Sequence, residues 1–324
     1  MPRVPRLSDM KKVLVLVYSQ TGQLSSIAQS LTAPLVENPG IAVHVEYLRP
    51  ASPYPFPWSL PRFLDAFPES ALGIPCELAP PALPPDAEFD LILLFYQVWY
   101  LAPSPPVTAF LRSEAGRRLL AGKPVVTVVG CRNMWMKAHE RMVLLLAEIA
   151  ARHIDHVVFT DRAPTLATLL TTPLWLLTGK RRPVPGLPPA GVRDDDIQRA
   201  ARFGHALADA LAADRERGNG PLLGGLAAVE ARPELMASEN AGTRSFALWS
   251  RIVRLGGEPG APLRLVFLTL FLVYLVAIIL TVVPVSLGLQ RLLRPLMKRR
   301  LAAIKRHMEW PSGSGTERMA HYER

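Results

Sequence analysis

The sequence predicts an α/β protein whose five strands form a doubly wound parallel sheet. Short, continuous runs of Val, Leu, Ile and Phe recur along the first half of the chain, which is typical of strands buried on both faces of a parallel sheet. Helical patterns separate these runs, and parallel neighbours need such crossovers. With 324 residues, 49% of them apolar, the chain is large enough to bury a core.

The predicted strands follow one another at residues 12–18, 41–48, 89–96, 123–130 and 154–160. The predicted helices cover residues 24–36, 107–120, 134–153 and 194–213. Three aspartates mark the start of the last helix, where negative charge complements the helix dipole, and apolar residues recur along one of its faces.

The α/β domain is predicted to cover residues 10–213, and two of its segments do not belong to a minimal sheet. Residues 49–85 contain eleven prolines among aromatic residues, so we expect an ordered insertion near the site. Residues 163–183 begin with a long uncharged run and are predicted to form an apolar flap. The rest of the chain is predicted to be a linker (214–262), a hydrophobic segment (263–290) and a basic tail (291–324).

The positive charge of the chain is concentrated at its carboxyl end. The formal net charge is +10, and residues 261–324 carry ten Lys/Arg against three Asp/Glu. The first 260 residues carry 27 Lys/Arg and 24 Asp/Glu, which is an ordinary surface for a soluble domain. We therefore expect no nucleic-acid partner.

The cysteine content favours a reducing compartment. Cys76 and Cys131 are too few for a disulfide framework, and no Cys or His spacing matches a zinc site, so no metal is predicted. The first residues lack the apolar core and cleavage site of a signal peptide. We expect the α/β domain to lie in the cytoplasm.

The hydrophobic segment is long enough to cross a bilayer, which needs about 20 apolar residues. Residues 265–290 contain no charged residue, and the Lys and Arg that follow belong in the cytoplasm by the positive-inside rule. A single crossing would then place the α/β domain on the opposite side. Three arrangements stay open: a tail translocated against its charge, a segment that bends at Pro284 and re-enters, and a segment that lies shallowly on lipid phosphates. We expect association with the cytoplasmic side of the inner membrane; the alternative is a buried helix that forms a homodimer.

Polar residues follow the first predicted strand, at the edge where open α/β sheets bind ligands. The strand is followed by a run that offers hydroxyl groups and backbone N–H groups to an anion at a helix amino terminus. This run consists of Ser19, Gln20, Thr21, Gly22, Gln23, Leu24 and Ser25. It matches neither GxxxxGK(S/T) nor GxGxxG. A simple N-cap would explain one hydroxyl residue, but it explains the whole run less well.

The run resembles the phosphate loop of flavodoxin-like proteins, (S/T)-x-T-G-x-(S/T), and departs from it at Leu24. The resemblance implies that FMN is the cofactor and that its phosphate binds here. It also implies that the loops after the third and fourth strands contact the isoalloxazine ring. The residues of these two loops that the resemblance implies as cofactor-binding are Gln97, Val98, Trp99, Tyr100, Gly130, Cys131, Arg132, Asn133 and Trp135.

Further stretches make the chain similar to one particular family of flavodoxin-like proteins, among them "PFPW", "YQVWYLAPSPP", "GKPVVTVVGCRNMWM" and "FTDRAP". Over about residues 10–210 the chain is similar to the dialkylresorcinol condensing enzyme family. The resemblance implies aromatisation of a 2,5-dialkylcyclohexane-1,3-dione, with a ketosynthase-like condensing enzyme as functional partner and a hydrophobic dialkyl substrate. A condensing enzyme needs a nucleophilic cysteine with His or Asn partners, and the position of Cys131 in the predicted ring loop disfavours that role.

Aromatising such a dione removes two hydrogens, which a flavin accepts directly. Arg132 and Asn133 are candidates for binding the substrate oxygens, and His139 or Tyr96 for the general base. The alternative for His139 is a packing or capping role on its helix. Three other functions stay open: an NAD(P)H-dependent flavin or quinone reductase, a non-enzymatic electron carrier, and a scaffold for the condensing enzyme.

Overall fold

Five parallel strands form the central sheet, close to the positions that the sequence predicts. The computed structural model describes residues 10–84, 86–293 and 295–322. The first nine residues, on which the predicted absence of a signal peptide partly rests, lie outside the described residues. So do Pro85 of the insertion and residues 294 and 323–324 of the basic tail. The strands are β1 (Lys11–Val17), β2 (Ile41–Tyr47), β3 (Leu91–Trp99), β4 (Pro124–Cys131) and β5 (Arg152–Thr160).

The order of the strands across the sheet is β2-β1-β3-β4-β5, and every neighbouring pair is parallel. This is the doubly wound order of flavodoxin-like folds, in which the ligand crevice lies where the direction of winding reverses, between β1 and β3. The predicted flavodoxin-like sheet is confirmed. A two-residue antiparallel segment, Ala102–Pro103, extends the end of β3.

Helices cover both faces of the sheet. On one face, α1 (Gln23–Val36) and α9 (Ala201–Ala212) pack on the odd-numbered residues of β1, such as Val13 and Val15. On the other face, α4 (Pro105–Arg112), α5 (Glu114–Leu120) and α6 (Met136–Glu148) pack on the even-numbered residues. The alternation follows from the period of two along a strand, so both sides of the sheet are buried.

Two predicted helices are each divided in the structure. The helix predicted at 107–120 breaks at Ser113, whose side chain accepts a hydrogen bond from the N–H of Gly116 at 3.0 Å and so caps α5. The helix predicted at 194–213 consists of α8 (Asp194–Gln198) and α9, separated at Arg199 and Ala200. In both cases a local cap or turn overrides a continuous apolar period.

The Pro-rich insertion and the apolar flap pack against each other beside the sheet. The insertion contains α2 (Leu60–Asp65) and α3 (Phe67–Leu72), and the flap contains α7 (Thr165–Thr178). The N–H of Trp58 donates a hydrogen bond to the carbonyl of Leu176 at 2.8 Å. These two segments therefore form one wall above the edge of the sheet.

Residues 214–262, which the sequence predicts to be a linker with weak helices, pack against the domain and contain helices. Leu222, Leu223 and Leu226 lie in the core, and the carboxylate of Asp155 accepts hydrogen bonds from the N–H groups of Leu222 and Leu223. The segment also contains α10 (Met236–Arg254) and two short 3-10 helices, Arg215–Arg217 and Pro233–Leu235. Its first part is ordered by contacts with β5, and α10 packs on α3 and α6.

The hydrophobic segment is a single helix, and the basic tail after it returns to the domain. The helix α11 (Pro262–Leu293) is followed by α12 (Lys298–Glu309) and the short α13 (Met319–Tyr322). Ser312 donates a hydrogen bond to Asp155 at 2.6 Å and accepts one from the N–H of His156 at 2.8 Å. These hydrogen bonds dock the basic tail on β5.

Candidate functional site

A cavity of about 230 Å³ lies at the carboxyl ends of β1, β3 and β4. Three predicted loops meet here, because the ends of parallel strands reach the same edge of a sheet. The loop residues that line it are Gln20, Thr21, Gln23, Leu24, Gln97, Val98, Trp99, Tyr100, Gly130, Cys131 and Arg132. The sequence places these three loops far apart, and the fold brings them together.

The loop after β1 turns sharply into α1. Gly22 has a φ of +81°, in the left-handed region that favours glycine, and no side-chain hydrogen bond caps the helix. The first N–H groups of a helix have no acceptor within the helix, so those of α1 are available to an anion. Ser19 Oγ is buried and has no hydrogen-bond partner among the described residues. The loop thus presents polar groups that the protein itself does not satisfy.

Two glutamines of this loop hold its position. The N–H of Gln20 donates to Oε1 of Gln97 at 3.3 Å, and its side-chain amide donates to the carbonyl of Pro55 at 2.9 Å. The side chain of Gln23 donates to the carbonyl of Val192 at 3.0 Å and accepts from its N–H at 2.8 Å. Both side chains are therefore used to join the loop to neighbouring segments.

Leu24, which departs from the flavodoxin-like pattern, packs in the core. Its side chain is 2% exposed, and its Cδ1 lies 3.1 Å from where a Cβ would stand on Gly130. A side chain at residue 130 would therefore require Leu24 to shift by a few tenths of an ångström. Ser25, the next hydroxyl residue, is half-buried on α1 and does not line the cavity.

A second, open groove of about 390 Å³ lies at the amino terminus of α1. It shares Thr21, Gln23 and Trp175 with the cavity, and Gly22 and Arg181 also line it. The guanidinium of Arg181 forms an ion pair with Asp194 at 2.7 Å. Cavity and groove therefore adjoin on the two sides of the loop.

Aromatic rings form one wall of the cavity. Trp99 lies edge-on to Trp58, with ring centroids 5.6 Å apart, and to Tyr54 at 5.0 Å. Such edge-to-face contacts fix ring orientations. Trp58 belongs to the Pro-rich insertion, so the insertion helps to position the strand-end tryptophan.

The loop after β4 supplies one cation. Arg132 lines the cavity, and its guanidinium donates a hydrogen bond to Thr168 of α7 at 3.3 Å. Burial lowers the pKa of Arg132, although a guanidinium stays protonated in proteins. No other charged side chain among the described residues lines the cavity.

Cys131 also lines the cavity, but its surroundings do not favour a thiolate. Burial raises the pKa of the Cys131 thiol, and the nearby carboxylate of Glu239 raises it further. A thiol held neutral is a poor nucleophile.

Besides Ser19 and Ser25, which line neither the cavity nor the groove, four further predicted site residues lie away from the cavity. Tyr96 is 1% exposed and points to the opposite face of the sheet from Phe95, as the strand alternation requires. Asn133 and Trp135 are buried beneath the loop after β4, and Trp135 belongs to the core. His139 is buried on α6, where its ring stacks on His156 with centroids 4.2 Å apart. A direct contact of these side chains with a ligand in the cavity is not supported by this geometry.

The sequence alone does not single out several residues that the structure brings to the cavity. They come from the insertion and the flap: Trp58, Phe63, Ala66, Thr172, Trp175 and Leu176. The hydroxyl of Thr172 is buried and has no partner among the described residues. The aromatic content of the insertion indicates proximity to the site, but no pattern in the sequence assigns individual residues to it.

Comparisons with known proteins find distant structural matches. No protein-family model and no curated protein matches the chain. An archaeal flavodoxin is 12% identical, at a TM-score of 0.34, over 63% of this chain and 99% of the flavodoxin. A flavoprotein from Lactobacillus acidophilus, solved in complex with FMN, is 18% identical, also at a TM-score of 0.34, over 46% of this chain and 91% of its own. The assignment of the fold rests on the strand order.

Proposed function

We propose that this site binds FMN, with the phosphate at the amino terminus of α1 and the flavin ring in the cavity. The observation that carries the proposal is the meeting of three loops that each match a part of an FMN site. The amino terminus of α1, whose first N–H groups have no acceptor within the helix and no side-chain cap, lies at one end. Aromatic side chains such as Trp99 lie at the other.

The residues present fit such a cofactor. Ligand pockets typically measure about 300 to 1,000 Å³. The cavity of about 230 Å³ and the adjoining groove of about 390 Å³ reach this range together. Where the cavity and the groove adjoin, Gly191 leaves room for the side chains of Gln23 and Trp175, since a Cβ on residue 191 would stand 2.5 Å from Gln23 Oε1.

We further propose that the enzyme oxidises a 2,5-dialkylcyclohexane-1,3-dione to a dialkylresorcinol in aryl lipid biosynthesis. A bound flavin supplies the acceptor for the hydride that this reaction removes. The chain must bind the dione, orient its ring and exclude water. Arg132, as the cation of the cavity, would hold the oxygens of the substrate in their anionic form.

The candidate base is the weakest part of the sequence prediction. Neither an imidazole nor a carboxylate among the described residues lines the cavity. The C–H between two carbonyl groups is itself acidic, so a 1,3-dione can enter as its enolate. Forming the aromatic ring also removes a hydride, which the flavin would accept, and a proton from the neighbouring ring carbon, which would pass to solvent at the mouth of the cavity. We therefore assign Arg132 the binding of the enolate, and no base role to His139 or Tyr96.

The walls of the cavity suit alkyl substituents. Trp58, Phe63 and Leu176 present apolar surface, and Phe63 also packs with the side chains around α11. A dialkylated product is poorly soluble, so an enzyme at a membrane surface can release it without carrying it through water. A ketosynthase-like condensing enzyme would supply the substrate.

The test is to purify the full chain in detergent, identify its cofactor and incubate it under air with a 2,5-dialkylcyclohexane-1,3-dione. Bound FMN and resorcinol formation are expected. Bound FMN without resorcinol would contradict the reaction and leave the cofactor assignment standing. Rapid flavin reduction by NAD(P)H without dione oxidation would instead identify a reductase.

A double variant of the phosphate loop tests the cofactor site separately from the reaction. Thr21→Ala combined with Gly22→Val should give a folded protein without flavin absorbance near 450 nm. Gly186→Val is the control, because Gly186 has a φ of +80° and open space around it but lies away from the loop. Retention of stoichiometric FMN by the double variant would contradict the phosphate-loop assignment.

A further inference from the structure

The start of α11 is fixed to the α/β domain by a buried ion-pair network. Arg264 is 1% exposed, and its guanidinium pairs with Asp65 at 2.5 Å and with Glu69 at 2.6 Å. About two helical turns later, Phe271 stacks on Phe67 of α3, with ring centroids 3.9 Å apart. The first half of the helix therefore lies against the insertion.

The chain after α11 is fixed to the same domain. Glu309 at the end of α12 accepts a hydrogen bond from the N–H of Ala231 at 3.1 Å, and Ser312 binds Asp155 and His156 of β5. The hydroxyl of Tyr322 donates to Asp209 of α9 at 2.9 Å. The start of α11 and the chain from the end of α12 onward are thus held on one globular domain.

Most of the apolar surface of α11 is exposed. The stretch Pro262–Ser286 has a mean hydropathy of 3.0, and only 12% of it is buried. Its polar side chains are satisfied locally: Thr269 donates to the carbonyl of Leu265 at 2.8 Å, and Thr281 to that of Ala277 at 2.6 Å. Such internal pairing suits an apolar surrounding. A core helix of a soluble domain would be buried.

A crossing of the bilayer conflicts with these contacts. A helix of 32 residues is about 48 Å long, so a span would place its two ends on opposite sides. The chain is back on the domain at Glu309, and the helix α12 that leads there has 12 residues, so it is about 18 Å long and too short to recross a hydrocarbon core of about 30 Å. A span is therefore excluded. A re-entrant hairpin is also disfavoured, since its returning limb would be α12, which carries Lys298, Arg299, Arg300, Lys305 and Arg306. Burying these charges in hydrocarbon is costly.

We propose that α11 is a monotopic membrane anchor. It lies along one leaflet with both ends on the side of the α/β domain, and the cations of α12 contact anionic lipid headgroups. Of the three arrangements that the sequence leaves open, this is the shallow one. Clustered Lys and Arg beside an apolar helix are the charge pattern that such headgroups attract. The proposal does not depend on the cofactor or the reaction.

Topology is tested by labelling single cysteines in sealed membrane vesicles with a membrane-impermeant maleimide. Glu258→Cys precedes α11, Thr316→Cys follows α12, and Arg162→Cys marks the α/β domain; all three positions are exposed. Each cysteine is introduced into a double variant, Cys76→Ser with Cys131→Ser, so that it is the only thiol in the protein. We expect the three sites to react together, in one vesicle orientation only. Reaction of Thr316→Cys in the orientation opposite to Arg162→Cys would overturn the proposal in favour of a span.

The lipid partner is tested by flotation with vesicles of phosphatidylcholine, with and without phosphatidylglycerol. Arg299→Glu combined with Arg300→Glu should lower partitioning to the anionic vesicles at least about tenfold. Arg117→Glu combined with Arg118→Glu, on exposed positions of α5, should leave it unchanged. A protein that binds neither vesicle and forms a stable dimer would overturn the membrane role and assign α11 to an interface between copies. Neither readout uses flavin or activity, so its failure is distinct from failure of the proposed function.

Discussion

The backbone N–H of Gln20 donates a hydrogen bond to Oε1 of Gln97, with a nitrogen–oxygen distance of 3.3 Å. Gln20 follows β1 and Gln97 lies at the end of β3, on the two sides of the point where the winding of the sheet reverses. The contact therefore joins the proposed phosphate loop to the proposed ring loop across the crevice.

Gln97→Ala should weaken FMN binding without unfolding the protein. A single hydrogen bond contributes about 1 kcal/mol, so the dissociation constant should rise about fivefold. Titration of the apoprotein, followed by quenching of flavin fluorescence, measures the change. Gln29→Ala, at an exposed position of α1, is the control. Equal affinities of the two variants would show that the contact does not shape the site.

Gly191→Ala should destabilise the protein more than Gly186→Ala. Both glycines have a positive φ, +89° and +80°, so each alanine incurs a similar backbone strain, on the order of 1 kcal/mol. At Gly191 the new Cβ would also stand 2.5 Å from Gln23 Oε1 and 2.9 Å from Trp175, whereas at Gly186 nothing lies within 4 Å. The crowding should add about 1 to 3 kcal/mol.

Thermal unfolding of the two variants measures the difference. Because Gln23 clamps Val192, the Gly191→Ala variant should also bind FMN more weakly. Equal melting temperatures would mean that the loop shifts freely and that the clamp does not constrain the site.

The sheet and the meeting of its three loops could be predicted because their signals are local. A strand buried on both faces is a continuous apolar run, and parallel strands then place Thr21, Trp99 and Arg132 at one edge whatever the details of packing. The helix break at Ser113 had a weaker signal, since a serine cap is visible only once the carbonyl and N–H groups around it are placed.

The remaining parts depend on contacts between distant residues. Leu222 and Leu223 are ordered by the buried carboxylate of Asp155, and the segment around Ser312 docks on the same aspartate. No period of two or 3.6 marks these residues. The role of His139 could not be decided from the sequence for a related reason: a histidine that follows a site loop looks the same in sequence whether it faces a ligand or the core.

Arg132→Gln should slow oxidation of the dione by about 10² to 10³ while FMN stays bound. These are typical losses when a group that stabilises an oxyanion is removed. The rate of flavin reduction in a single anaerobic turnover measures it, and Arg132→Lys should recover part of the loss because it keeps the charge. Arg162→Gln, at an exposed position after β5, serves as the control. A rate unchanged in Arg132→Gln would remove Arg132 from the mechanism.

The stability of the protein should fall as the pH is lowered from 6.5 to 4. His139 and His156 stack, and His153 lies beside them. Burial lowers the pKa of all three imidazoles, to about 4 for His153 and about 3 for His156. In this window the unfolded chain protonates them at an ordinary pKa of about 6.5 while the folded protein keeps them neutral, so the unfolded state binds more protons.

Asp155 acts in the opposite direction but does not cancel the effect. Burial raises its pKa to about 6 and the pKa of Glu239 to about 7, so the folded protein takes up two protons over this range, against three imidazoles in the unfolded chain. Each net proton contributes about 1.4 kcal/mol per pH unit. His139→Phe keeps a ring in the stack and removes one titrating group, so it should reduce the slope by about that amount.

Urea unfolding followed by circular dichroism at several pH values measures these slopes. His44→Phe on β2, where the side chain is exposed, should keep the slope of the parent protein. If His139→Phe and His44→Phe depended on pH equally, the buried imidazole would not be neutral in the folded state. A lower slope for His139→Phe alone would assign this histidine to the core, where a neutral ring supports the docking of the carboxyl-terminal residues on β5.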